Sequence, residues 1–242
     1  MSKHDGDRRE ERAGSKGGAM VEVTIESRLP GLTVALVEAV GVRIEAASAE
    51  LRELCDRAAQ AAAQDGLTGG DARRQAIRSL LRSGGFKPSG RNKPAQEYLL
   101  RTATDEGKLP SISNAVDLIN LVSLQSGLPI SLVSLDRLGV QLSLRVGIPG
   151  ERFVFNRTGQ ELDVEGLLCI CTAGLGGSQP VGSPVKDAMQ AKVTDEDRHL
   201  LACIYASSDA VLPEELRRWG EDLAQGFRRF CGAAQAEAVF LP

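Results

Sequence analysis

The hydrophobic pattern changes its period at the centre of the chain. Between Asn114 and Ser126, apolar residues cover almost every face of a helical projection, which is typical of a helix buried in the middle of a domain. Asn114 is predicted to cap the start of this helix. Gly127, followed by Pro129, is predicted to end it.

Other segments have the pattern of ordinary helices and strands. Period-two alternation predicts strands at 21–26, 33–44, 130–135, 141–146, 152–156, 160–164, 166–173, 199–206 and 236–242. Helical spacing predicts helices at 49–64, 71–83, from Pro94 onward, and over 213–232, where an apolar stripe marks a core-facing side. Residues 174–184, rich in glycine, proline and serine, are predicted to form a mobile loop between two strands. The pattern therefore predicts an α+β fold, with an antiparallel-rich mixed sheet packed around the buried central helix and additional helices.

Composition suggests how the chain is organised. Residues 1–20 lack apolar periodicity and are dense in charge and glycine, so we expect a disordered leader before a single domain over 21–242. No stretch approaches the roughly 18 apolar residues that span a bilayer, and no signal sequence opens the chain. Five cysteines, an odd number spread along the chain, indicate reduced thiols rather than a disulfide framework. A cytoplasmic protein is expected.

Two polar side chains interrupt the apolar central helix. Asp117 and Asn120 are three residues apart and so share a face, where burial is costly unless each finds partners. Asp117 lies in the first turn, where it could accept backbone N–H bonds. Asn120 is in the middle of the helix, and its amide either bonds a neighbouring loop backbone or faces a ligand. Both alternatives stay open.

A cationic turn precedes the central helix. Lys87, Arg91 and Lys93 flank a proline-containing turn, which either faces RNA phosphate or forms a solvated surface. The formal net charge of −3 and the pI of about 5.6 exclude the global basic field of a strong nucleic-acid binder. Any RNA contact would therefore be weak and local, and no DNA partner is expected.

Candidate chemistry outside the central helix is sparse. Cys169, Cys171, Cys203 and His199 could meet on neighbouring strands as a metal site, but buried thiols are more often small apolar residues, so neither a metal nor a cofactor is expected. The glycine-rich stretch lacks the spacing of a phosphate-binding loop, and no nucleophile motif is present. A hydrolase with this sequence would depend on holding substrate and water in place, with amides as oxyanion donors.

Three segments resemble one known family. The run SISNAVDLINLVSLQSGLPISLVSLDRL, the preceding FKPSGRNKPAQEYLLR and the later KVTDEDRHLLACIYA are similar to the B3/B4 domain of the phenylalanyl-tRNA synthetase β subunit, and still more to free-standing B3/B4 proteins. The resemblance covers about residues 85–206. It implies a B3/B4-like fold and an editing activity, which hydrolyses tyrosine wrongly attached to phenylalanine tRNA.

The family's functional residues carry over only in part. Its Asp-Val-Thr-Asn-Tyr run lies on residues 117–121, so Asp117 and Asn120 are kept and Ile119 replaces the threonine. Eleven residues after Asn120, Ser131 stands where bacterial synthetases have a histidine thought to help place the attacked ester. Serine cannot titrate near pH 7 as histidine does. This departure therefore counts against the predicted editing chemistry but not against the predicted pocket.

The resemblance leads to one main hypothesis and two alternatives. The main one is a B3/B4-type protein that binds the 3′ end of a tRNA or aminoacyl-tRNA and hydrolyses a mischarged ester without a metal or covalent nucleophile. Its predicted residues are Asn120 and Ser131 for catalysis, Asp117, Ile119 and Lys192 for substrate, and Lys87, Arg91 and Lys93 for RNA. The alternatives are a non-catalytic pocket for a free amino acid or similar small molecule, and an oligomerising or partner-docking protein. The sequence does not determine the oligomeric state.

Overall fold

The computed structural model describes residues 21–27, 29–173 and 177–241; the predicted leader over 1–20 lies outside the described residues. The helices are α1 (Ala49–Asp65), α2 (Gly70–Ser83), α3 (Ala95–Glu106), α4 (Asn114–Ser126), α5 (Leu135–Leu138) and α6 (Pro213–Cys231), and a 3-10 turn spans Met189–Ala191. The strands are β1 (Glu22–Ile25), β2 (Leu32–Val40), β3 (Ile130–Ser134), β4 (Gln141–Val146), β5 (Arg152–Val154), β6 (Glu161–Asp163), β7 (Leu168–Thr172), β8 (Pro180–Gly182), β9 (His199–Ser207) and β10 (Gln235–Leu241).

These strands form two sheets and a hairpin. Sheet 1 has the order β1-β4-β7-β8, and sheet 2 has the order β10-β2-β9-β3. The pairing of β1 with β4 is parallel and every other pairing between the described strands is antiparallel, including the β5–β6 hairpin. The predicted α+β class, antiparallel-rich and mixed, is confirmed.

Sheet 2 separates two hydrophobic cores because its residues alternate between faces. Along β2, Ala35 and Val37 join the core that contains α4 and α6, whereas Val34 and Leu36 join the core beneath sheet 1. Both faces of the strand are apolar, so it has the nearly continuous hydrophobic run of a strand buried on both sides. The predicted continuation of β2 to residue 44 does not form, since the chain turns at Gly41 with a φ of 72°.

Helix α4 occupies the centre of the helical layer, as the sequence predicts. It packs against α1, α3, α6 and β3, and ten of its thirteen residues are buried. Ser113, not Asn114, is the N-cap, because the Ser113 hydroxyl accepts the Val116 N–H. The Asn114 amide instead donates to the carbonyls of Arg43 and Phe230, tying the helix start to two other segments. Gly127 ends the helix at a φ of 67°.

The predicted mobile loop over 174–184 is wrong for its second half. Residues Pro180–Gly182 form β8, which is buried and pairs antiparallel with β7. Gly182 fits there because a Cβ atom at this position would approach the Val133 side chain and the Asp187 carboxylate to about 3.2 and 3.1 Å. Composition alone indicates a loop, whereas burial between β7 and β3 makes the segment a strand. Residues 174–176 lie outside the described part of the chain.

The C-terminal region follows its predicted pattern. In α6, Leu216, Leu223 and Phe227 are buried in the core, and Trp219 and Phe230 pack against it. The last strand, β10, pairs with β2 at the edge of sheet 2. The extent of the single domain over 21–242 stays a prediction.

Candidate functional site

A cavity of about 430 Å³ opens beside α4. We call it the α4 cavity. Its walls come from α3, α4, β3, the β5–β6 hairpin and the segment that follows β8. The apolar part of its lining is Leu99, Ile119, Ile130 and Val185.

Besides Ser123, α4 contributes one polar residue to the lining of this cavity, Asn120. Its side chain is half-buried, and its amide makes no hydrogen bond to any other described residue. The Ser123 hydroxyl, one turn further along the helix, donates instead to the Leu128 carbonyl at 2.6 Å. Asn120 therefore offers two N–H donors and an acceptor to whatever enters the cavity. This placement favours the ligand-facing alternative over a bond to a loop backbone.

Two cations stand at the cavity wall, Arg91 before α3 and Lys186 after β8. The Lys186 ammonium donates to the Arg91 carbonyl at 2.9 Å and lies 4.1 Å from the centre of the Phe155 ring. Burial, with the neighbouring Arg91 charge as a second cause, lowers the pKa of Lys186. Within the described residues neither cation forms an ion pair with a carboxylate, so both remain available to a ligand.

Aromatic rings complete the lining. Tyr98 projects from α3 and Phe155 from the turn after β5. Gln160, across the same turn, accepts a 2.7 Å hydrogen bond from the Asn156 amide, so its carbonyl is engaged and its own NH₂ group is left for other partners. The cavity therefore combines an apolar floor, two rings and several hydrogen-bond donors.

The expected meeting of Asn120 and Ser131 in one cavity does not occur. Successive residues of a strand point to opposite faces, and on β3 it is Ile130 that lines the α4 cavity. Ser131 is fully buried on the other face, where its hydroxyl donates to the Ser183 carbonyl at 2.9 Å and lies 3.1 Å from the Tyr205 hydroxyl. The Ser131 hydroxyl therefore contacts Ser183 and Tyr205, and it does not line the cavity.

Asp187 organises the same buried face. Its carboxylate accepts the backbone N–H groups of Leu132 at 3.1 Å and Ser183 at 3.3 Å. Burial raises the pKa of Asp187 to about 6, although hydrogen bonding with the Ser131 side chain, these two backbone hydrogen bonds and the Lys192 charge oppose the rise. The carboxylate thus joins β3 to the turn that leads into the cavity-lining residues Val185 and Lys186.

Asp117 binds the segment that precedes α4 and does not line the cavity. Its buried carboxylate accepts the Ile112 N–H at 2.9 Å and the Ser111 hydroxyl at 3.0 Å. The Arg52 guanidinium donates to it at 3.1 Å and also to the Leu109 carbonyl at 2.9 Å. Asp117 is therefore surrounded by protein partners and stabilises the segment before α4.

The remaining predicted residues are divided between the cavity and the surface. Ile119 lines the cavity and Arg91 stands in its wall, as described above. Lys87 is exposed and Lys93 half-buried on the same turn, outside the lining. Lys192 is exposed at the end of the 3-10 turn, where its charge acts on Asp187.

The considered metal site does not assemble in the described residues. Cys169, Cys171 and Cys203 are buried free thiols, and burial raises their pKa values. The His199 Nε2 atom lies 2.6 Å from a Glu38 carboxylate oxygen. No group of three or more His, Cys, Asp or Glu residues in the described ranges is arranged to hold a metal ion.

Sequence reasoning missed Lys186, Tyr98, Phe155 and Gln160. Phe155 and Gln160 belong to a hairpin predicted only as strands, and Lys186 follows the segment predicted as a loop. The only signal was an indirect one: a lysine directly after a proline-rich turn. Folding brings these residues beside α4 from positions up to 66 residues away from Asn120.

Comparison with known proteins identifies the family. A family model described as the B3/4 domain matches residues 86–232, more than half of the chain, and includes α3, α4, β3 and the segment after β8. A search of curated proteins finds no match. Among the described residues, no helix is both long and apolar enough to cross a membrane. The match over residues 86–232 shows that the chain belongs to the B3/4 domain family.

Proposed function

We propose that this protein binds the aminoacylated 3′ end of a tRNA in the cytoplasm and hydrolyses the ester of a wrongly attached amino acid. The observation that carries the proposal is the α4 cavity, where the Asn120 amide, which has no hydrogen-bond partner in the described part of the chain, shares the lining with apolar side chains. Membership of the B3/4 family and the resemblance to synthetase editing domains support it.

The proposed reaction needs no covalent intermediate. Water attacks the carbonyl carbon of the aminoacyl ester, and negative charge develops on the carbonyl oxygen. The Asn120 NH₂ group donates a hydrogen bond to that oxygen, which stabilises the transition state. The bond between the carbonyl carbon and the ribose oxygen then breaks. The ribose oxygen takes one of the two protons of the water, the other proton passes to solvent, and the amino acid leaves as its carboxylate.

Positioning supplies the rest of the proposed catalysis. Ile119, Ile130 and Leu99 exclude bulk water from the floor of the cavity and contact the acyl side chain. Asp117 and Ser131 act indirectly, because the first holds the start of α4 and the second holds the Ser183 carbonyl near the cavity wall. Lys192 contributes through Asp187 rather than by touching the substrate.

RNA contacts are proposed for the turn that precedes α3. Arg91 lies at the cavity, and Lys87 and Lys93 extend positive charge along the same turn. The backbone N–H of Ala95 donates to the Pro184 carbonyl at 2.9 Å, which links this turn to the segment that carries Lys186. Since the whole chain has a net charge of −3, tRNA affinity should depend on these few contacts and fall steeply with salt.

The direct test is deacylation of mischarged tRNA. Purified protein is incubated with tyrosyl-tRNA for phenylalanine and with other mischarged pairs, and the loss of ester is followed over time. We expect acceleration over the spontaneous rate with at least one pair. Rates that equal the spontaneous control for every pair would remove the claim of hydrolysis.

A second function is favoured by one observation. Among the described residues that line the α4 cavity, none is a histidine, cysteine, aspartate or glutamate, so the lining lacks the imidazole, thiol and carboxylate groups that commonly act as general bases. This lining suits a non-catalytic pocket for a free small molecule. Salt-dependent retention of tRNA on immobilised protein would count against that alternative, because a pocket for a free metabolite has no need of phosphate contacts.

A further inference from the structure

We infer that the α4 cavity selects a ligand that joins one anionic group to a flat apolar body and places no ammonium group between Arg91 and Lys186. This inference rests on the proposed function, which places the substrate in the same cavity. It adds the charge and shape of the part that enters.

The lining of the α4 cavity carries positive charge. Arg91 and Lys186 both line the cavity, and none of the other described lining residues carries a negative charge. The hydrogen bond of 2.9 Å from the Lys186 ammonium to the Arg91 carbonyl keeps the two cationic residues together. Two cationic residues in one cavity lining, with no carboxylate among the described lining residues, favour an anion from outside.

The surroundings of Lys186 affect the protonation of its side chain. Burial and the nearby Arg91 charge lower the pKa of Lys186, which means that these protein surroundings disfavour its ammonium form. An anion bound between the two residues would remove part of that penalty, whereas a ligand ammonium would increase it.

The apolar part of the cavity lining suits a flat ring. Tyr98 and Phe155 line the cavity together with Ile119, Ile130 and Leu99. Aromatic rings next to cations form the usual surface for a nucleobase or another flat ring, because stacking requires only a π face. Lys186 already lies over the Phe155 ring, so the cationic and apolar halves of the site adjoin each other.

Two sources have this chemistry. The terminal nucleotide of a tRNA carries a phosphate and a flat base, and a free aryl carboxylate carries a carboxylate and a ring. In the first case the α-ammonium group of the aminoacyl ester stays outside the space between Arg91 and Lys186, and the nucleotide side of the ester faces these cations.

The test compares ligands that differ only in charge, by calorimetric titration of the full chain. 3-(4-Hydroxyphenyl)propionate, tyrosine and tyramine share one ring and are respectively anionic, zwitterionic and cationic. Adenosine 5′-monophosphate and adenosine form a second pair that differs in the phosphate. We expect the anionic member of at least one set to bind about tenfold or more tightly than its uncharged or cationic counterpart. A tighter nucleotide identifies the tRNA end as the source, and a tighter propionate identifies a free carboxylate.

Variants connect the preference to the two cations. Arg91→Gln and Lys186→Gln are each expected to weaken the preferred anion about tenfold, while the matched charge change Lys108→Gln, on an exposed residue away from the cavity, leaves binding unchanged. Arg91→Gln preserves the backbone carbonyl that Lys186 contacts, so it still tests the site if Lys186→Gln unfolds the segment.

Three results would overturn the inference: equal or tighter binding of tyramine or adenosine, no binding of either anion at millimolar concentration, or anion binding that ignores both substitutions. The deacylation assay distinguishes this failure from failure of the proposed function. Anion binding without deacylation removes hydrolysis alone, whereas deacylation that depends on Asn120 but not on Arg91 or Lys186 removes only the inference.

Discussion

The hydroxyl of Ser131 donates a 2.9 Å hydrogen bond to the carbonyl of Ser183, two residues before the cavity-lining Val185. Ser131 is fully buried and also lies 3.1 Å from the Tyr205 hydroxyl. The residue that stands in place of the family's histidine therefore contributes to the cavity by holding its wall. It has no surface in the cavity itself.

Ser131→Ala should lower the free energy of unfolding and leave the rate of deacylation nearly unchanged. Removing the hydroxyl leaves the buried Ser183 carbonyl and Tyr205 hydroxyl without this partner, which costs about 1–3 kcal/mol in the free energy of unfolding by urea denaturation. The rate of deacylation per folded molecule should change little. Tyr205→Phe is the matched control, and the double variant should cost less than the sum of the two single changes. A loss of deacylation without loss of stability would show that Ser131 reaches the substrate.

Asn120→Ala should have the opposite effect. The amide has no hydrogen-bond partner among the described residues and faces the cavity, so its removal leaves the unfolding free energy nearly unchanged. Loss of one oxyanion donor should lower the rate of deacylation roughly 100-fold. Single-turnover deacylation of mischarged tRNA measures this rate, with tRNA affinity measured in parallel. Wild-type rates in a folded Asn120→Ala protein would exclude the proposed role of the amide.

Asp117→Ala should be strongly destabilising. The variant leaves the partly buried Arg52 guanidinium without its buried carboxylate partner and leaves the Ile112 N–H without an acceptor. Breaking a buried pair in this way costs about 3–5 kcal/mol. Asp56→Ala is the control, since that carboxylate pairs with the same arginine at 3.5 Å but is 46% exposed, and its loss should cost well under about 1 kcal/mol. Equal effects of the two changes in thermal and urea unfolding would contradict this account.

Ionisation of Asp187 should lower the free energy of unfolding as the pH rises from about 4 to about 6. The folded protein holds a proton on this carboxyl up to a pKa of about 6, whereas an unfolded chain releases it near pH 4. Between these values the folded state binds more protons, so the free energy of unfolding decreases with rising pH, by at most about 3 kcal/mol. Asp187→Asn should flatten this slope in urea denaturation curves at pH 4, 5, 6 and 7. A variant with the unchanged slope would assign the effect to other groups.

The sequence alone determined the elements that depend on local patterns. The ends of α4 follow from Gly127 and from polar residues before an apolar run, and the family follows from long motifs on both sides of it. Most strands follow from alternation, which records the two faces of a sheet. β8 was missed because its glycine and proline content indicates a loop, and only burial between β7 and β3 makes it a strand.

Tertiary structure decided which residues share the cavity. The sequence places Asn120 and Ser131 eleven positions apart, yet it cannot say which face of β3 turns toward α4, and the structure gives that face to Ile130. Lys186 joins Arg91 only because β8 returns beside β7 and leads its following turn to the start of α3. Local preferences act between near neighbours along the chain, whereas a cavity is made by packing segments that are distant in sequence, so its chemistry becomes visible only in the folded protein.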